Sequence, residues 1–340
     1  KRLFANTFSF RKAYWLAAIT YLFFFILVKF KKHFLINFLK KMDKNHNNGI
    51  PDWLLSHLPY NHYNIKVGTK NMHVMEKGNG KPIVLVHGNP MWGYLYKKVL
   101  DQLDNVSARL IVPDLIGFGF SDKIKINEHS LEAHTEWMAN FFKTIKEDSI
   151  GLVIHDWGGM IGIAGAMRAG KKIDGLIVMN TAITAPKDGF KPTWFHQLSQ
   201  TPIVSDILFR IFNFPQSYLN VFEGIPNSYS KFDLKSYKYP LRKLKNNVGP
   251  LALARMVPNK MSHPSVPIEK EVEKFLQSYK GPAEIIWGMN DSVMWKLRRR
   301  TARLLPQAKV IKTDAGHFVQ QETPEKVVES MKKVFKFTSN

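Results

Sequence analysis

Four short turns in this chain combine histidine, carboxylate and glycine residues directly after apolar runs. They read HGNP at 87–90, HDWGG at 155–159, GMND at 288–291 and DAGH at 314–317. In the second turn Asp156 stands two residues before a pair of glycines, a pattern typical of a sharp strand-to-helix turn that holds one side chain over a sheet. A carboxylate in this position is suited to in-line displacement at an sp³ carbon, which gives a covalent alkyl ester.

Two other residues can complete such a reaction. His317 can activate the water that hydrolyses the ester, and Asp291 can orient the imidazole and stabilise its charged form. Structural interpretations also exist, because Asp156 or Asp291 could simply cap the following helix and His317 could be a buried structural histidine. We favour the catalytic interpretation because all three residues follow predicted strands, in the order nucleophile, acid, histidine.

The apolar runs predict an α/β fold built on a mostly parallel, doubly wound sheet. Residues 63–68 and 72–76 indicate an opening antiparallel pair. Six further strands are predicted at 82–87, 109–113, 150–155, 175–179, 283–287 and 309–312. Continuous apolar runs of this length, separated by helical stretches, indicate parallel strands covered on both faces. In such a sheet the chemistry lies at the carboxyl ends of the strands, where the four turns fall.

The alternation of predicted strands and helices stops near Pro186 and resumes at residue 283. We expect a helical cap at 187–268, inserted between strands of a core formed by 61–186 and 269–338. The inserted stretch is rich in aromatic residues, which suit either the wall of a binding site or the core of the cap itself. These residues are Trp194, Phe195, Phe209, Phe212, Phe214, Tyr218 and Phe222.

The first part of the chain has a different character. Residues 13–28 carry no charge and have basic residues on both sides. We therefore expect residues 1–42 to form an N-terminal membrane anchor, followed at 43–60 by a linker and a short helix. A cleaved signal peptide is disfavoured because no small-residue cleavage site follows, and a packed N-terminal helix is the alternative. The flanking charges do not indicate which side of the membrane the rest of the chain would face.

Charge and composition narrow the classes of partner. The 340 residues include 49 Lys and Arg against 27 Asp and Glu, a net charge of +22, of which +9 falls in residues 1–44. The absence of cysteine excludes a thiol nucleophile, disulfides and cysteine-ligated metals. Basic and aromatic residues alternate at 235–245 and 295–300, but no nucleic-acid-binding motif accompanies them. We expect no nucleic acid partner and attribute these segments to a solvated or membrane-facing surface.

Residues 51–337 resemble the haloalkane dehalogenase branch of the α/β-hydrolase superfamily, which is close to the β-lactone decarboxylases of olefin synthesis. The matching segments are HGNPMWGYLYKKV, PDLIGFGFSD, VIHDWGGMIG, RMVP followed by HPS, WGMND and AGHFVQQE. The resemblance implies an α/β-hydrolase fold with Asp156 as nucleophile, His317 as base and Asp291 as acid. It also implies that Asn89 and Trp157 bind the halide through side-chain N–H groups and form an oxyanion hole through backbone N–H groups. No metal or cofactor is implied.

The sequence departs from the family pattern at three places. One subfamily has its acid, a Glu, just after the sixth strand, where this chain has Asn180 and Thr181, so Asp291 must serve. Ile154 replaces the small residue that is usual two positions before the nucleophile. Met91 and Trp92 replace a more usual Thr- or Ser-containing continuation. None of these changes removes a catalytic group.

The expected reaction converts an alkyl halide and water into an alcohol, a halide and a proton, and the expected partner is a small hydrophobic substrate. A β-lactone decarboxylase acting on lipid-derived lactones is the main alternative. An epoxide hydrolase is less favoured, because those enzymes usually carry an aromatic residue where Asn89 stands. Its ring-opening tyrosines would have to come from the cap, and the candidates are Tyr218, Tyr229, Tyr237 and Tyr239. A catalytically silent binding module would not need the intact set of catalytic and halide-binding residues. The oligomeric state is left open.

Overall fold

The computed structural model describes residues 49–104, 106–186 and 194–336. Apart from residues 49–51, these belong to one compact unit, Asp52–Asn340. Its eight-stranded sheet has the order β1-β2-β4-β3-β5-β6-β7-β8. The strands are Asn61–Val67 (β1), Lys70–Lys77 (β2), Lys81–Val86 (β3), Ala108–Pro113 (β4), Ser149–His155 (β5), Lys172–Met179 (β6), Ala283–Gly288 (β7) and Lys309–Thr313 (β8).

The direction of the strands confirms the predicted mostly parallel sheet. The β2 strand runs antiparallel to both of its neighbours, β1 and β4. All other neighbouring pairs are parallel. The central strands β3, β5 and β7 are buried almost throughout, whereas the edge strands β1 and β8 contain many exposed residues. This difference explains the continuous apolar runs, because only central strands are covered on both faces.

Helices surround the sheet and fill the sequence between β6 and β7. The α-helices are Asp52–Leu55 (α1), Lys97–Leu100 (α2), Leu131–Thr144 (α3), Trp157–Arg168 (α4), Trp194–Ser199 (α5), Val204–Asp206 (α6), Lys231–Lys238 (α7), Gly249–Arg255 (α8), Val266–Ser278 (α9), Arg298–Leu304 (α10), Val319–Glu322 (α11) and Pro324–Phe335 (α12). Short 3₁₀ helices occupy Gly93–Tyr96, Ile126–Glu128 and Gln216–Val221, and a π-helical turn occupies Ile207–Ile211.

The two faces of the sheet are covered by different helices, as a doubly wound fold requires. On one face of β5, Gly151 lies against the ring of Phe335 in α12. Ile154 points to the opposite face, three residues further along the strand, and lies against Gly162 of α4. The helices α3 and α9 pack on α4, while α12 packs on β6, β7 and α2. Glycines on both sides let the helices approach closely at the strand that carries the HDWGG turn.

Local sequence signals explain where several helices begin. Ser130 caps α3 by accepting a hydrogen bond from the backbone N–H of Ala133 at 3.1 Å. Ser230 and Asp233 form a reciprocal capping box at the start of α7. Pro250 stands in the first turn of α8, where its missing N–H costs no helical hydrogen bond.

The predicted cap at 187–268 falls between β6 and β7, where the described residues form helices from Trp194 to Ser278. This region has a small apolar cluster of its own, in which Phe209 of the π-helical turn packs with Leu251 and Ala254 of α8. Phe209 therefore belongs to the interior of this helical region rather than to the wall of a site. The exact division of the chain into a core and a cap stays a prediction.

The predicted membrane localisation is corrected. The segment 13–28, from which it was drawn, lies outside the described residues. In the parts of the chain that the structure describes, no helix is long and apolar enough to cross a bilayer. The physical reason for the error is length, because sixteen uncharged residues are fewer than the roughly 20 that a spanning helix needs. The localisation is withdrawn.

Two buried polar side chains hold the loops at the carboxyl ends of β3 and β4. His87 Nε2 accepts a hydrogen bond from the backbone N–H of Leu115 at 2.9 Å. Asp114 Oδ1 accepts from the backbone N–H of Gly93 at 2.7 Å, and its Oδ2 accepts from Phe120 N–H at 2.8 Å. Asp114 Oδ2 also lies 2.8 Å from Nδ1 of His73. These contacts hold the two loops together beside buried apolar residues such as Leu115 and Phe118.

Replacing Asp114 with Asn should lower the free energy of unfolding by about 2 kcal/mol, because a fully buried charge-assisted network loses its charge. Burial alone would raise the pKa of Asp114, but His73 and the backbone donors outweigh it and lower that pKa to about 2. The ordinary pKa is 3.8. The stabilisation is therefore complete above about pH 4 and is lost as the pH falls towards 2. Urea denaturation at pH 7 and at pH 3 measures both effects.

The matched control is Asp104→Asn, which removes an exposed carboxylate paired with Lys77. We expect its effect on the free energy of unfolding to stay below about 1 kcal/mol, as for other exposed ion pairs. Equal destabilisation by the two substitutions would contradict the role given to Asp114.

Candidate active site

Asp156 lies at the turn between β5 and α4, with φ 50° and ψ −128°. These angles are unfavourable for a residue with a side chain, and such strain is found where a surrounding structure imposes it for function. Gly158 makes the tight turn possible, because a Cβ there would lie 2.3 Å from the carbonyl oxygen of Val86. The turn follows β5, which lies beside β3 in the sheet. After β3 the chain continues to β4 on one side, whereas after β5 it continues to β6 on the other side, so the strand order reverses between β3 and β5. Such switch points are where sheets of this kind bind their ligands.

The carboxylate of Asp156 is buried and held on both oxygens. Its Oδ1 accepts a hydrogen bond from the backbone N–H of Asn89 at 2.6 Å. Its Oδ2 lies 3.6 Å from Nε2 of His317, a separation that a bound substrate can shorten. The backbone carbonyl of Asp156 accepts from the hydroxyl of Thr181 at 2.6 Å, which fixes the turn from the neighbouring strand.

His317 is held between Asp156 and a second carboxylate. Its Nδ1 lies 2.9 Å from Oδ2 of Asp291, so Nδ1–H donates to this carboxylate and Nε2 faces Asp156. Asp291 Oδ1 accepts from the backbone N–H groups of Val293 and Met294 at 2.7 and 3.0 Å. Asp291 therefore stabilises the turn after it and orients the imidazole at the same time. The capping interpretation and the catalytic one do not exclude each other.

Asn180 is a site residue whose contribution the sequence did not indicate. Its Nδ2 donates to Asp291 Oδ2 at 2.6 Å, and its Oδ1 accepts from the backbone N–H of Gly288 at 2.9 Å. It thereby ties the end of β6 to the end of β7 and holds the carboxylate that faces His317. The only sequence signal was a polar residue directly after the apolar run of β6.

The three ionisable groups stabilise one another's charged forms. Burial alone would lower the pKa of His317, but the charge of Asp291 and the hydrogen bonds to Asp156 and Asp291 raise it to about 10. Burial opposes ionisation of both carboxylates, yet the contacts with His317 lower the pKa of each. These contacts favour a protonated imidazole between two carboxylates.

A cavity of about 30 Å³ lies over the Asp156 carboxylate. The Asp156 residue beneath it is only 6% exposed, so little solvent reaches the carboxylate. Apart from the charged and polar groups at its base, most of its wall is apolar. The lining residues are Asn89, Pro90, Asp156, Trp157, His196, Pro215, Phe222, Ala254, Val293, His317 and Phe318.

The structure brings all five sequence-predicted site residues to this one place. Asp156 and His317 line the cavity, Asp291 contacts His317 from behind, and Asn89 and Trp157 line the wall. The side-chain Nδ2 of Asn89 also donates to the carbonyl oxygen of Pro250 in α8 at 3.0 Å. Their individual roles stay a prediction.

Two further observations concern the helical region over the cavity. His196 of α5 lines it and was not singled out from the sequence; burial lowers its pKa to about 4, so it is neutral at pH 7. The tyrosines that an epoxide hydrolase would need lie elsewhere, since none of the described lining residues is a tyrosine. Tyr237, for example, donates to Oε1 of Gln321 at 2.8 Å and is buried.

The sheet order and the carboxylate at the turn after β5 define an α/β hydrolase, and residues 81–228 match the family described as alpha/beta hydrolase fold. Haloalkane dehalogenase 1 of Mycobacterium tuberculosis is 30% identical over 257 residues, which cover 74% of this chain and 82% of that protein. The chain belongs to the haloalkane dehalogenase branch of the α/β-hydrolase family.

Another relative carries the name of a different activity, and a solved structure shares the fold. A cis-3-alkyl-4-alkyloxetan-2-one decarboxylase of Shewanella oneidensis is 26% identical over 281 residues, covering 81% of this chain and 88% of that protein. The structure of the haloalkane dehalogenase DpaA from Paraglaciecola agarilytica superposes with a TM-score of 0.69 at 23% identity. That superposition covers 82% of this chain and 93% of the other, and it confirms the fold.

Replacing Asp156 with Asn should lower the pKa of His317 well below its value of about 10, because the substitution removes one of the two negative charges beside the imidazole. Titration of the His317 ring by nuclear magnetic resonance measures this directly. Asp314→Asn is the control, since this exposed carboxylate stands only three residues away in sequence. An unchanged His317 pKa in Asp156→Asn would contradict the coupling between the two side chains.

Proposed function

We propose that the protein is a haloalkane dehalogenase that converts an alkyl halide and water into an alcohol, a halide ion and a proton. The observation that carries the proposal is a buried carboxylate on a strained turn, facing a histidine–carboxylate pair across a mostly apolar cavity. Family membership supports it, because the relative of 30% identity is a haloalkane dehalogenase.

In the proposed first step, a carboxylate oxygen of Asp156 attacks the carbon that bears the halogen. A carbon–oxygen bond forms, the carbon–halogen bond breaks, and the halide leaves with the electron pair. Asn89 and Trp157 lie at the wall of the cavity and can present side-chain N–H groups to the halide. In a site with little solvent, such donors stabilise a developing anion more than they would in water.

The second step depends on a change in charge at Asp156. Once that carboxylate is an ester, one of the two groups that raise the pKa of His317 no longer carries a charge, so the pKa of the imidazole falls. The imidazolium then releases the proton on Nε2, which is the proton that the overall reaction yields. The neutral Nε2 takes a proton from water as the water oxygen attacks the ester carbonyl. Asp291 stabilises the imidazolium that forms. Asp156 and His317 are therefore both charged in the resting enzyme. Alkylation of Asp156 lowers the pKa of His317 and so converts its imidazole into a base.

Breakdown of the tetrahedral intermediate completes the cycle. The bond between the acyl carbon and the alcohol oxygen breaks, and the second proton of the attacking water passes to the alcohol oxygen. Asp156 is again a carboxylate beside the protonated His317. The backbone N–H of Asn89 already donates to Asp156 Oδ1, and the backbone N–H of Trp157 also contacts this carboxylate. Both donors are placed to stabilise the negative oxygen of the intermediate.

A second candidate function is decarboxylation of a β-lactone. Relatives of 26% and 28% identity carry the name cis-3-alkyl-4-alkyloxetan-2-one decarboxylase. In this route Asp156 would attack the sp³ ring carbon that is bonded to the ring oxygen. The bond between this carbon and the ring oxygen would break, which leaves an alkyl ester on Asp156 and a free carboxylate on the substrate. Loss of this carboxylate as carbon dioxide, with its carbon–carbon bond pair forming the double bond and Asp156 leaving as a carboxylate, would give an alkene. Water takes no part in this route.

Incubation with 1-bromobutane and, separately, with a cis-3,4-dialkyl β-lactone distinguishes the two candidates. We expect release of bromide and butanol from the first substrate, measured by ion chromatography and gas chromatography. Asp156→Asn should reduce this release by at least about 10³-fold, because a neutral amide is a poor nucleophile. Alkene without bromide would favour the decarboxylase, and full activity in Asp156→Asn would exclude both carboxylate mechanisms.

Replacing His317 with Gln should separate the two steps of dehalogenation. Alkylation of Asp156 does not need a base, so one equivalent of bromide is expected to be released per active site. Hydrolysis of the ester should then stall because no group takes the proton from water. Intact-mass spectrometry should show the enzyme heavier by one butyl group, and peptide mapping should place that group on Asp156. Multiple turnovers at the wild-type rate would contradict the role given to His317.

A further inference from the structure

The backbone of the loop that carries His317 lies directly against the backbone of residues 222–224, in the helical region over the cavity. A Cβ at Gly224 would lie 2.3 Å from the backbone nitrogen of Gly316, and one at Gly316 would lie 2.1 Å from the carbonyl oxygen of Phe222. The backbone N–H of His317 also points to the carbonyl of Phe222, at 3.4 Å. Side chains larger than hydrogen have no room at this junction, so the backbones of the two segments are in direct contact.

One carboxylate fastens the junction. Glu322, the last residue of α11, accepts hydrogen bonds on Oε2 from the backbone N–H groups of Gly224 and Ile225, both at 2.8 Å. Its Oε1 accepts from the backbone N–H of Gly316 at 3.0 Å. A carboxylate accepts such bonds more strongly than a neutral group would. A single side chain thus fixes both the segment beside Phe222 and the residue next to His317.

We propose that Glu322 is a positioning residue for the hydrolytic step, holding the His317 imidazole and the Phe222 wall of the cavity in one fixed relation. The inference rests on the proposed function, since it assigns Glu322 to one of its two steps. Phe222 and His317 both line the cavity, so a shift at their junction would change where the base stands relative to an ester on Asp156.

The displacement step uses groups that Glu322 does not contact. It needs the Asp156 carboxylate, which the backbone N–H of Asn89 holds, and the side-chain donors of Asn89 and Trp157. The hydrolytic step needs Nε2 of His317 aimed at a water beside the ester. Loss of Glu322 should therefore slow the second step while leaving the first nearly unchanged. A purely structural role would slow both.

The test is Glu322→Gln in the full chain, with rapid-quench measurement of bromide from 1-bromobutane and intact-mass measurement of the alkyl-enzyme. The amide keeps one acceptor oxygen but directs an N–H₂ group at backbone donors. We expect the alkylation rate constant to stay within about twofold and the hydrolysis rate constant to fall at least about tenfold, as for small misplacements of a catalytic group. The alkyl-enzyme should then accumulate at steady state.

Glu325→Gln is the matched control, because this exposed carboxylate lies one turn further on in α12. Both of its rate constants should equal those of the wild type. If Glu322→Gln does not fold, as judged by circular dichroism, Glu322→Asp keeps the charge on a shorter arm and is measured in the same way. It should show the same selective loss of hydrolysis, to a smaller extent.

The outcomes separate the two claims. Equal slowing of alkylation and hydrolysis, or unchanged hydrolysis, in the folded Glu322 variant would overturn the positioning role and leave the proposed dehalogenase function standing. Absence of bromide release from the wild type would overturn the proposed function, and the assignment of Glu322 to ester hydrolysis with it.

Discussion

Two carboxylates and one imidazole share a buried space at the switch point of the sheet, and the remaining site residues compensate the cost of that burial. Burial opposes the ionisation of both Asp156 and Asp291, because removal from water penalises a charge. His317 lies between them and lowers the pKa of both. Backbone N–H groups of Asn89, Val293 and Met294 satisfy the other oxygens. The imidazole and the backbone donors together favour the charged form of both carboxylates.

The sheet supplies this set because three of its parallel strands end at one edge. Asp156 follows β5, Asn180 follows β6 and Asp291 follows β7, and β5, β6 and β7 are neighbours in the sheet. The side chains that meet there are far apart in sequence but are placed by rigid neighbours. His317 comes from a longer loop after β8, and its position therefore needs further contacts. His155 donates from Nε2 to the carbonyl oxygen of His317 at 2.8 Å, which gives one of them.

The sequence was sufficient to predict the strands and the position of Asp156 at the turn after β5, because both depend on local patterns. A continuous apolar run followed by Asp156 and two glycines has few other structural outcomes, and the observed strands differ from the predicted ones by a few residues at their ends. The partners of Asn180 and Glu322 depend on contacts across 111 and 98 residues of chain, and no local pattern carries that information. His196 was missed for the same reason. The membrane localisation failed because charge and hydropathy of a short segment do not by themselves specify a span.

The contact between Asn89 and Pro250 has a consequence for how the site would open. In the proposed reaction the Asn89 amide binds the departing halide, yet the same nitrogen donates to a carbonyl of α8 in the helical region above. The orientation of that amide is therefore set by the position of α8. By thermodynamic linkage, whatever displaces α8 must change halide affinity, and a bound halide must change the energy of displacing α8 by the same amount. The affinity for the product halide and the free energy of displacing α8 are thus thermodynamically coupled.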